Sequence, residues 1–310
     1  MKAAGEIMFT ALLMGALGAA ALVQQTDTLL SVDGATRLHL QAQRGEVVVR
    51  TWDRDAVQVR ASHAPDQDIQ FQRSGRTLTV MVDGQRGGGP AGAPGRRSGG
   101  PSSGPVNFEL TVPRGLDLDL EGMALRLDLQ DTGGSVEATT VQGPIHVRGA
   151  RGNLKLETVS GEITVEDARG NVRVNAVAGT ITVSNASGDI SAETVGGSVT
   201  LSGIASGRVE VRTVSGPLRY EGSIREGGRY TFGTHAGDVW LRLPADMGAR
   251  VSAVTLAGEI RSDFPGAPDT ATRRQGIPGL QEKRLSFETG DGSARISVET
   301  FAGTVHVLRR

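Results

Sequence analysis

The sequence predicts an all-β protein: a single-stranded parallel β-helix, or β-solenoid, with about 18 residues per coil, each coil made of two nine-residue rungs. Three observations predict this fold. Glycine recurs every nine residues, apolar and polar residues alternate between the glycines, and a second alternation doubles the period to 18. A composition with 44 glycines and only 4% aromatic residues agrees with a narrow core of aliphatic side chains.

Residues 1–25 are typical of a secretory signal peptide. An almost unbroken apolar stretch covers residues 7–23, and Ala19 and Ala21 offer small residues for cleavage. The stretch is nearly long enough to span a bilayer, so an uncleaved N-terminal membrane anchor is the alternative. We therefore expect an exported protein that is periplasmic, bound to the cell surface or secreted.

A β-rich N-terminal region is predicted over residues 26–120. Its strand-like stretches are residues 38–40, 46–51, 56–61, 77–82 and 107–112. Because the first rung of a solenoid is an unpaired edge, we expect this region to form a cap. Residues 84–105 consist mainly of Gly, Pro, Ser and Arg, which predicts a disordered loop.

The solenoid is predicted over residues 121–310. Its glycines keep a nine-residue spacing, with one inserted residue before the last two: Gly134, Gly143, Gly152, Gly161, Gly170, Gly179, Gly188, Gly197, Gly207 and Gly216. We expect each glycine to provide a positive φ at a sharp turn. In one rung, Ile181 and Val183 point inward and Thr182 points outward, and the other rungs repeat this alternation.

The residue before each turn alternates between valine and alanine. The valines are Val141, Val159, Val177, Val195 and Val214, and the alanines are Ala150, Ala168 and Ala186. With two rungs per coil, valine stacks on valine and alanine on alanine, and both columns are expected to be packed. The pattern resumes with insertions at residues 237–243, 258–261 and 303–308, and residues 262–283 are predicted to be a loop outside the sheet.

The sequence resembles a bacterial putative-adhesin family of unknown function, DUF4097, whose members form glycine-punctuated β-solenoids. The resemblance lies in the opening strands at residues 47–51 and 57–61, the Val112-Pro113 turn, the serial TVxG steps and the closing strand pair over residues 290–305. It covers most of residues 30–310. The resemblance implies a structural or binding role and provides no catalytic residues to transfer.

Other classes of function have little support in the sequence. The 33 basic and 34 acidic residues nearly cancel, which disfavours nucleic acid as a partner, and the lack of cysteine excludes thiol chemistry. No histidine has a metal-ligand spacing to another histidine or a clustered carboxylate. A calcium-binding β-roll needs repeated acidic turns, whereas only Asp167 and Asn185 fit, so we expect a turn-capping role for them.

One outward row is the candidate binding site. It consists of Thr164, Thr182 and Thr200, with Ser184 and Ser202 beside the latter two. A regular row of hydroxyls suits a glycan, although threonine is also a favoured exposed strand residue.

The function predicted from these features is a non-enzymatic, exported adhesin-like binding or cell-envelope scaffold protein without a cofactor. Its partner is expected to be an envelope or surface glycan or protein. The alternative is a carbohydrate-active β-helix enzyme, of the polysaccharide lyase or glycosidase type, with an unrecognised site. Residues 18 apart should be neighbours, which places Glu137 near Lys155 and Arg173, a mixed-sign row typical of solvated charge ladders. Large aromatic sugar platforms are missing from the repeat faces, where Tyr220 stands almost alone.

Overall fold

The structure is a computed structural model, and it describes residues 24–32, 34–84, 104–265, 269–271 and 282–310. The predicted leader, apart from its last two residues, and most of the predicted loop over 84–105 lie outside these residues. Within the described ranges, no helix is long and apolar enough to cross a membrane.

Most of the described residues lie in strands. In chain order they are β1 (Gln24–Ser31), β2 (Arg37–Trp52), β3 (Ala56–His63), β4 (Gln67–Ser74), β5 (Thr77–Gly84), β6 (Asn107–Pro113), β7 (Asp117–Gln130), β8 (Val136–Gln142), β9 (Ile145–Arg148), β10 (Leu154–Ser160), β11 (Ile163–Glu166), β12 (Val172–Ala178), β13 (Ile181–Ser184), β14 (Ile190–Gly196), β15 (Val199–Ile204), β16 (Arg208–Ser215), β17 (Leu218–Gly222), β18 (Arg229–Ala236), β19 (Val239–Leu243), β20 (Ala249–Thr255), β21 (Ile260–Ser262), β22 (Asp269–Ala271), β23 (Glu282–Thr289), β24 (Ala294–Ala302) and β25 (Val305–Arg309). They confirm an all-β, single-stranded parallel β-solenoid.

Each coil of the repeat places one strand on each of two faces. The even-numbered strands β8 to β18 form the first face, and the odd-numbered strands β9 to β19 form the second. All these strands are parallel. Lateral partners are 18 residues apart up to β15, as with Leu154 beside Val172 and Ile163 beside Ile181, and insertions widen the offset to 19 or 21 residues from there to β19. The predicted coil of two rungs is therefore confirmed.

The alternation along each rung also agrees with the prediction. Ile181 and Val183 on β13 are fully buried, while Thr182 between them is only half-buried and faces outward. The inward side chains of all coils form one continuous core along the axis. Successive strand residues point to opposite sides, so a two-residue period in sequence suffices to separate core from surface.

The valine and alanine columns exist, but only the alanine column is packed. Ala150, Ala168 and Ala186 are buried. The valine column lies on the outer corner where the first face ends, and its members are 41% to 51% exposed. The prediction that the valines are packing residues is wrong, because the chain turns there and the buried position is taken by the preceding residue, which is Thr158 on β10.

The glycines are required mainly for close approach rather than for a positive φ. Among the predicted ten, only Gly143 and Gly216 have a positive φ. At Gly197, a Cβ would lie 2.7 Å from the carbonyl carbon of Gly179 on the neighbouring coil. That separation is well below the 3.5–4.0 Å of ordinary carbon contacts, so a side chain has no room. The backbones of successive coils touch at this corner.

The N-terminal region continues the same coil. β2 and β7 are long strands that bend across both faces, and they pair in parallel with each other along most of their length. β5 and β6 then pair with the two halves of β2. Antiparallel strands close the end: β4 lies beside β5 on the first face, and β3 and β1 lie beyond β6 on the second.

At the other end, spatial order departs from chain order. β24 lies between β18 and β20, and β25 lies between β19 and β21, so the last coil of the chain inserts between two earlier ones. The antiparallel strands β23 and β22 follow β20 at the edge. Two described parts of the predicted loop over 262–283, residues 269–271 and 282–283, thus lie in strands at this edge.

Candidate functional site

The five hydroxyl residues singled out in the sequence lie together on the second face. Thr164, Thr182 and Thr200 are lateral partners on β11, β13 and β15, and Ser184 pairs with Ser202 in the row beside them. All five side chains face outward and are half-buried. Adjacent members are one strand spacing apart, about 4.8 Å. We call these five residues the hydroxyl patch.

Ion pairs close both ends of the serine row. Arg148 Nε donates to Glu166 Oε2 at 2.7 Å on one side, and Arg242 Nη1 donates to Glu221 Oε2 at 3.4 Å on the other. This hydrogen bond to the Glu166 carboxylate raises the pKa of the Arg148 guanidinium, so this group stays charged. The two hydroxyls of the serine row therefore lie between neutralised charge pairs. On the threonine row, Thr164 Oγ1 donates to Glu162 Oε1 at 3.2 Å.

The threonine row continues into an aromatic stack that the sequence did not reveal. Beyond Thr200 follow Arg219, Trp240 and His306, each on the next coil. The Arg219 guanidinium lies 4.5 Å from the centre of the Trp240 ring, and the His306 ring stacks on its other side at 5.3 Å. Both ring faces of Trp240 are thus covered, and the indole offers only its edge to a ligand.

Tyr220 does not belong to this surface. It is 1% exposed and packs in the core at 5.1 Å from the Phe232 ring. Its hydroxyl donates to the Ser223 carbonyl at 3.2 Å. The prediction that Tyr220 lies on a repeat face is wrong, because its ring points into the core. The sequence did not reveal the position of Trp240 for two reasons. An insertion of three residues changes the spacing between Trp240 and its lateral partner Arg219, and its other partner, His306, lies on the last coil, which inserts between two earlier coils.

A charged groove of about 490 Å³ follows the first face. Its lining includes Glu137, Lys155 and Arg173, which are lateral neighbours as predicted. Lys155 Nζ lies 2.6 Å from Glu137 Oε1 and 3.7 Å from Glu157 Oε1, and the hydrogen bond to Glu137 raises the pKa of Lys155. The charges pair along the axis, which is the arrangement of a solvated ladder.

Three possible metal ligands converge at the N-terminal end of the first face. His39 Nδ1 lies 3.1 Å from Asp119 Oδ2, and one ligand atom of Glu121 completes a group within 4.8 Å. The local spacing rules applied to the sequence missed this group, because β2 and β7 bring together residues 80 positions apart. Three such donors can hold a divalent cation, but direct contact between the His39 ring and the Asp119 carboxylate accounts for the same distance.

Asp167 and Asn185, the two turn residues considered as calcium ligands, have a conformational role that Asp131 shares. Asp131, Asp167 and Asn185 all have a positive φ, between 53° and 56°, and the same column holds Gly149 and Gly203 in the same conformation. Asn185 Nδ2 donates to Asp167 Oδ1 at 3.2 Å. Asp, Asn and Gly are the residues that tolerate a left-handed turn, so the predicted turn role is confirmed.

The family comparison agrees with this architecture. The family model described as Toastrack DUF4097 matches residues 35–308. Among solved structures, the chain is similar to a crystal structure of a putative cell adhesion protein from Clostridium sporogenes, with 9% sequence identity, a TM-score of 0.25, and coverage of 93% of this chain and 100% of that chain. No curated protein matches the chain. The family match spans nearly the whole solenoid, and the chain therefore belongs to the Toastrack DUF4097 family.

Proposed function

We propose that the protein is a non-enzymatic, exported adhesin-like binding or cell-envelope scaffold protein, and that the hydroxyl patch is its glycan-binding surface. The proposal rests on one observation: Thr164, Thr182 and Thr200 are lateral partners on neighbouring strands, and the serine row lies beside them. Hydroxyls both donate and accept hydrogen bonds, so a flat row of them suits a polyhydroxylated polymer.

The non-enzymatic part of the proposal is supported by the way the outward carboxylates are arranged. Glycoside hydrolysis uses two carboxyl groups that flank one bond, one of them with a raised pKa. Among the carboxylates beside the hydroxyl patch, Glu166 and Glu221 each face an arginine, and Glu162 accepts a hydrogen bond from Thr164 at 3.2 Å. Glu166 and Glu221 stand at opposite ends of the serine row, three strand spacings or about 14 Å apart, which is too far for the two to flank one glycosidic bond.

The exported part of the proposal relies on the apolar leader over residues 7–23. The rod shape suits a scaffold, because a stack of coils presents the same row of side chains over a long distance. Cell fractionation, with antibody detection in cytoplasm, periplasm, membrane and medium, tests this part. Detection only in the cytoplasm would contradict it.

The glycan-binding part is tested by affinity electrophoresis against a panel of envelope and plant polysaccharides, with product release measured in parallel. The double variant Thr182→Val and Thr200→Val removes two hydroxyls with little change in side-chain volume. We expect it to lose retention by the polysaccharide that binds the unchanged protein. Thr139→Val and Thr231→Val form the matched control, because both residues face outward on the first face and are equally half-buried.

Two outcomes would contradict the proposal. If the polysaccharide retained both double variants equally, the hydroxyl patch would not be the glycan-binding surface. Release of oligosaccharide products that a single carboxylate substitution abolishes would favour the carbohydrate-active enzyme instead.

A further inference from the structure

An exposed apolar line runs along one corner of the solenoid, and we call it the valine ridge. In spatial order it consists of Met123, Val141, Val159, Val177, Val195, Val214, His235, Phe301 and Leu256, one residue on each successive coil. The His235 ring stacks on Phe301 at 4.8 Å, and Leu256 at the end is half-buried. The valines are 41% to 51% exposed and Met123 is 61% exposed. At about 4.8 Å per coil, the ridge is about 38 Å long.

Folding does not require apolar residues at this corner. The next column along the chain is exposed in the same way and holds small or polar residues, such as Ser160, Ala178 and Gly196. The large apolar side chains exposed in the described part of the chain are Leu29 and seven others, and those seven all lie on the ridge. Single exposed apolar residues are ordinary, but a continuous line of them marks an interaction surface.

The spacing of the ridge favours a helix as the occupant. In an α-helix, residues on one side recur on average about every 5.4 Å along the axis, only about 0.6 Å more than the spacing of about 4.8 Å between ridge residues, so a helix stays in register over three or four coils. In an extended strand, residues on one side recur about every 6.8 Å and fall out of register after two or three coils. The small residues in the column beside the ridge leave room for a helix to pack against this surface.

The charges beside the ridge define the chemistry of that helix. The outward row on one side and the turn row on the other contain seven carboxylates: Glu121, Glu157, Glu193, Glu299, Glu162, Asp238 and Glu259. These two rows contain only two arginines. Three of the carboxylates are paired, Glu157 with Lys155, Glu193 with Arg212 and Glu259 with Arg261, so the two rows together with these partners hold seven carboxylates and four cations. The borders of the ridge are therefore acidic.

Acidic borders disfavour two other occupants. A second copy that met the first ridge to ridge would bring carboxylate rows against carboxylate rows in either two-fold orientation, and like charges at an interface are repulsive. An anionic membrane surface would be repelled by the same carboxylates. A partner with cations on both sides of an apolar stripe is attracted.

We propose that the valine ridge is a docking surface for an amphipathic α-helix of a partner protein, with an apolar stripe bordered on both sides by Lys or Arg. The ridge lies on a different part of the solenoid from the hydroxyl patch. This binding activity is additional to the proposed glycan binding.

The test uses three synthetic helical peptides in titrations against the purified protein. The first carries leucine at every third or fourth position with lysine on both borders, the second has glutamate in place of lysine, and the third is a scrambled form of the first. We expect saturable binding of one lysine-bordered peptide per protein and no binding of the other two.

Matched variants locate the site. Val177→Thr and Val195→Thr together keep side-chain shape at exposed positions, so the fold is retained, and the loss of apolar contact should weaken binding about tenfold. The double variant Thr182→Val and Thr200→Val should leave peptide binding unchanged. Equal affinity for the scrambled peptide, or no effect of the two ridge substitutions, would overturn the proposal.

Two further measurements separate the alternative occupants. Sedimentation of a dimer that the ridge substitutions dissociate would assign the ridge to a second copy of the chain. Co-sedimentation with phosphatidylserine vesicles that the same substitutions abolish would assign it to a membrane. Either result would contradict the helix proposal, and neither affects the glycan-binding test.

Discussion

Replacement of Gly197 by alanine should destabilise the protein strongly, whereas the same change at Gly196 should not. An added Cβ at Gly197 would lie 2.7 Å from the carbonyl carbon of Gly179, about 1 Å short of an ordinary contact. At Gly196, the nearest atom would be the Val177 carbonyl oxygen at 3.8 Å, which is ordinary contact. Neither glycine has a positive φ, so the two substitutions differ mainly in the space available.

The magnitude follows from how the coils are held. To move apart by about 1 Å, the coils must stretch ladder hydrogen bonds such as Ile181 N to Ser198 O, now 2.9 Å. The loss of one or two such bonds costs about 1 kcal/mol each, and overpacking adds about 1 to 3 kcal/mol. We expect Gly197→Ala to lower the free energy of unfolding by about 3 kcal/mol and the melting temperature by about 6 °C.

Gly196→Ala provides the control. Alanine fits at this position and restricts the unfolded chain, which stabilises by about 0.4 to 1 kcal/mol, so the melting temperature should stay equal or rise slightly. Thermal unfolding followed by circular dichroism measures both variants. A melting temperature of Gly197→Ala within about 1 °C of the unchanged protein, or an equal fall for both variants, would refute close approach as the reason for glycine.

Two other predictions concern the core. Val183→Asp places an unpaired charge at a fully buried position and should lower the free energy of unfolding by at least about 4 kcal/mol. Thr182→Ala, one residue away on the outward side, should be tolerated. Equal melting temperatures for the two variants would contradict the assignment of Val183 to the core and Thr182 to the surface. Burial raises the pKa of the Tyr220 and Tyr230 hydroxyls, the only two tyrosines of the chain. Above a pH of about 10, the unfolded chain therefore binds fewer protons than the folded one, and stability should fall as the pH rises. Tyrosinate absorbance should appear only together with unfolding, and its appearance in the folded protein would contradict the burial of these hydroxyls.

The coil could be predicted from the sequence because its determinants are local. A glycine every nine residues indicates the turns. The alternation of Ile181, Thr182 and Val183 indicates which side of a strand is buried, and both features depend on only a few neighbouring residues. The positions of the hydroxyl patch followed from the same period. The role of Gly197 was misjudged, because the atom that excludes a side chain there belongs to the neighbouring coil.

Features that join distant segments required the tertiary structure. The group of His39, Asp119 and Glu121 forms because β2 pairs with β7, and no periodicity links these residues in the sequence. Trp240 stacks on His306 because the last coil inserts between two earlier ones. Insertions outside the repeat remove the constant spacing that made the regular coils predictable.

The sequence by itself determined the solenoid, its 18-residue coil and the residues that face the core, because side-chain direction along a strand depends only on local backbone geometry. The tertiary structure decided which coils are neighbours and whether an apolar column is buried. The valine column shows the difference, since its 18-residue repeat is evident in sequence but its 41% to 51% exposure depends on where the chain turns the corner. Whether a residue is buried depends on all the segments that surround it in the fold. A repeat in the sequence shows only that the same residue type recurs at that position.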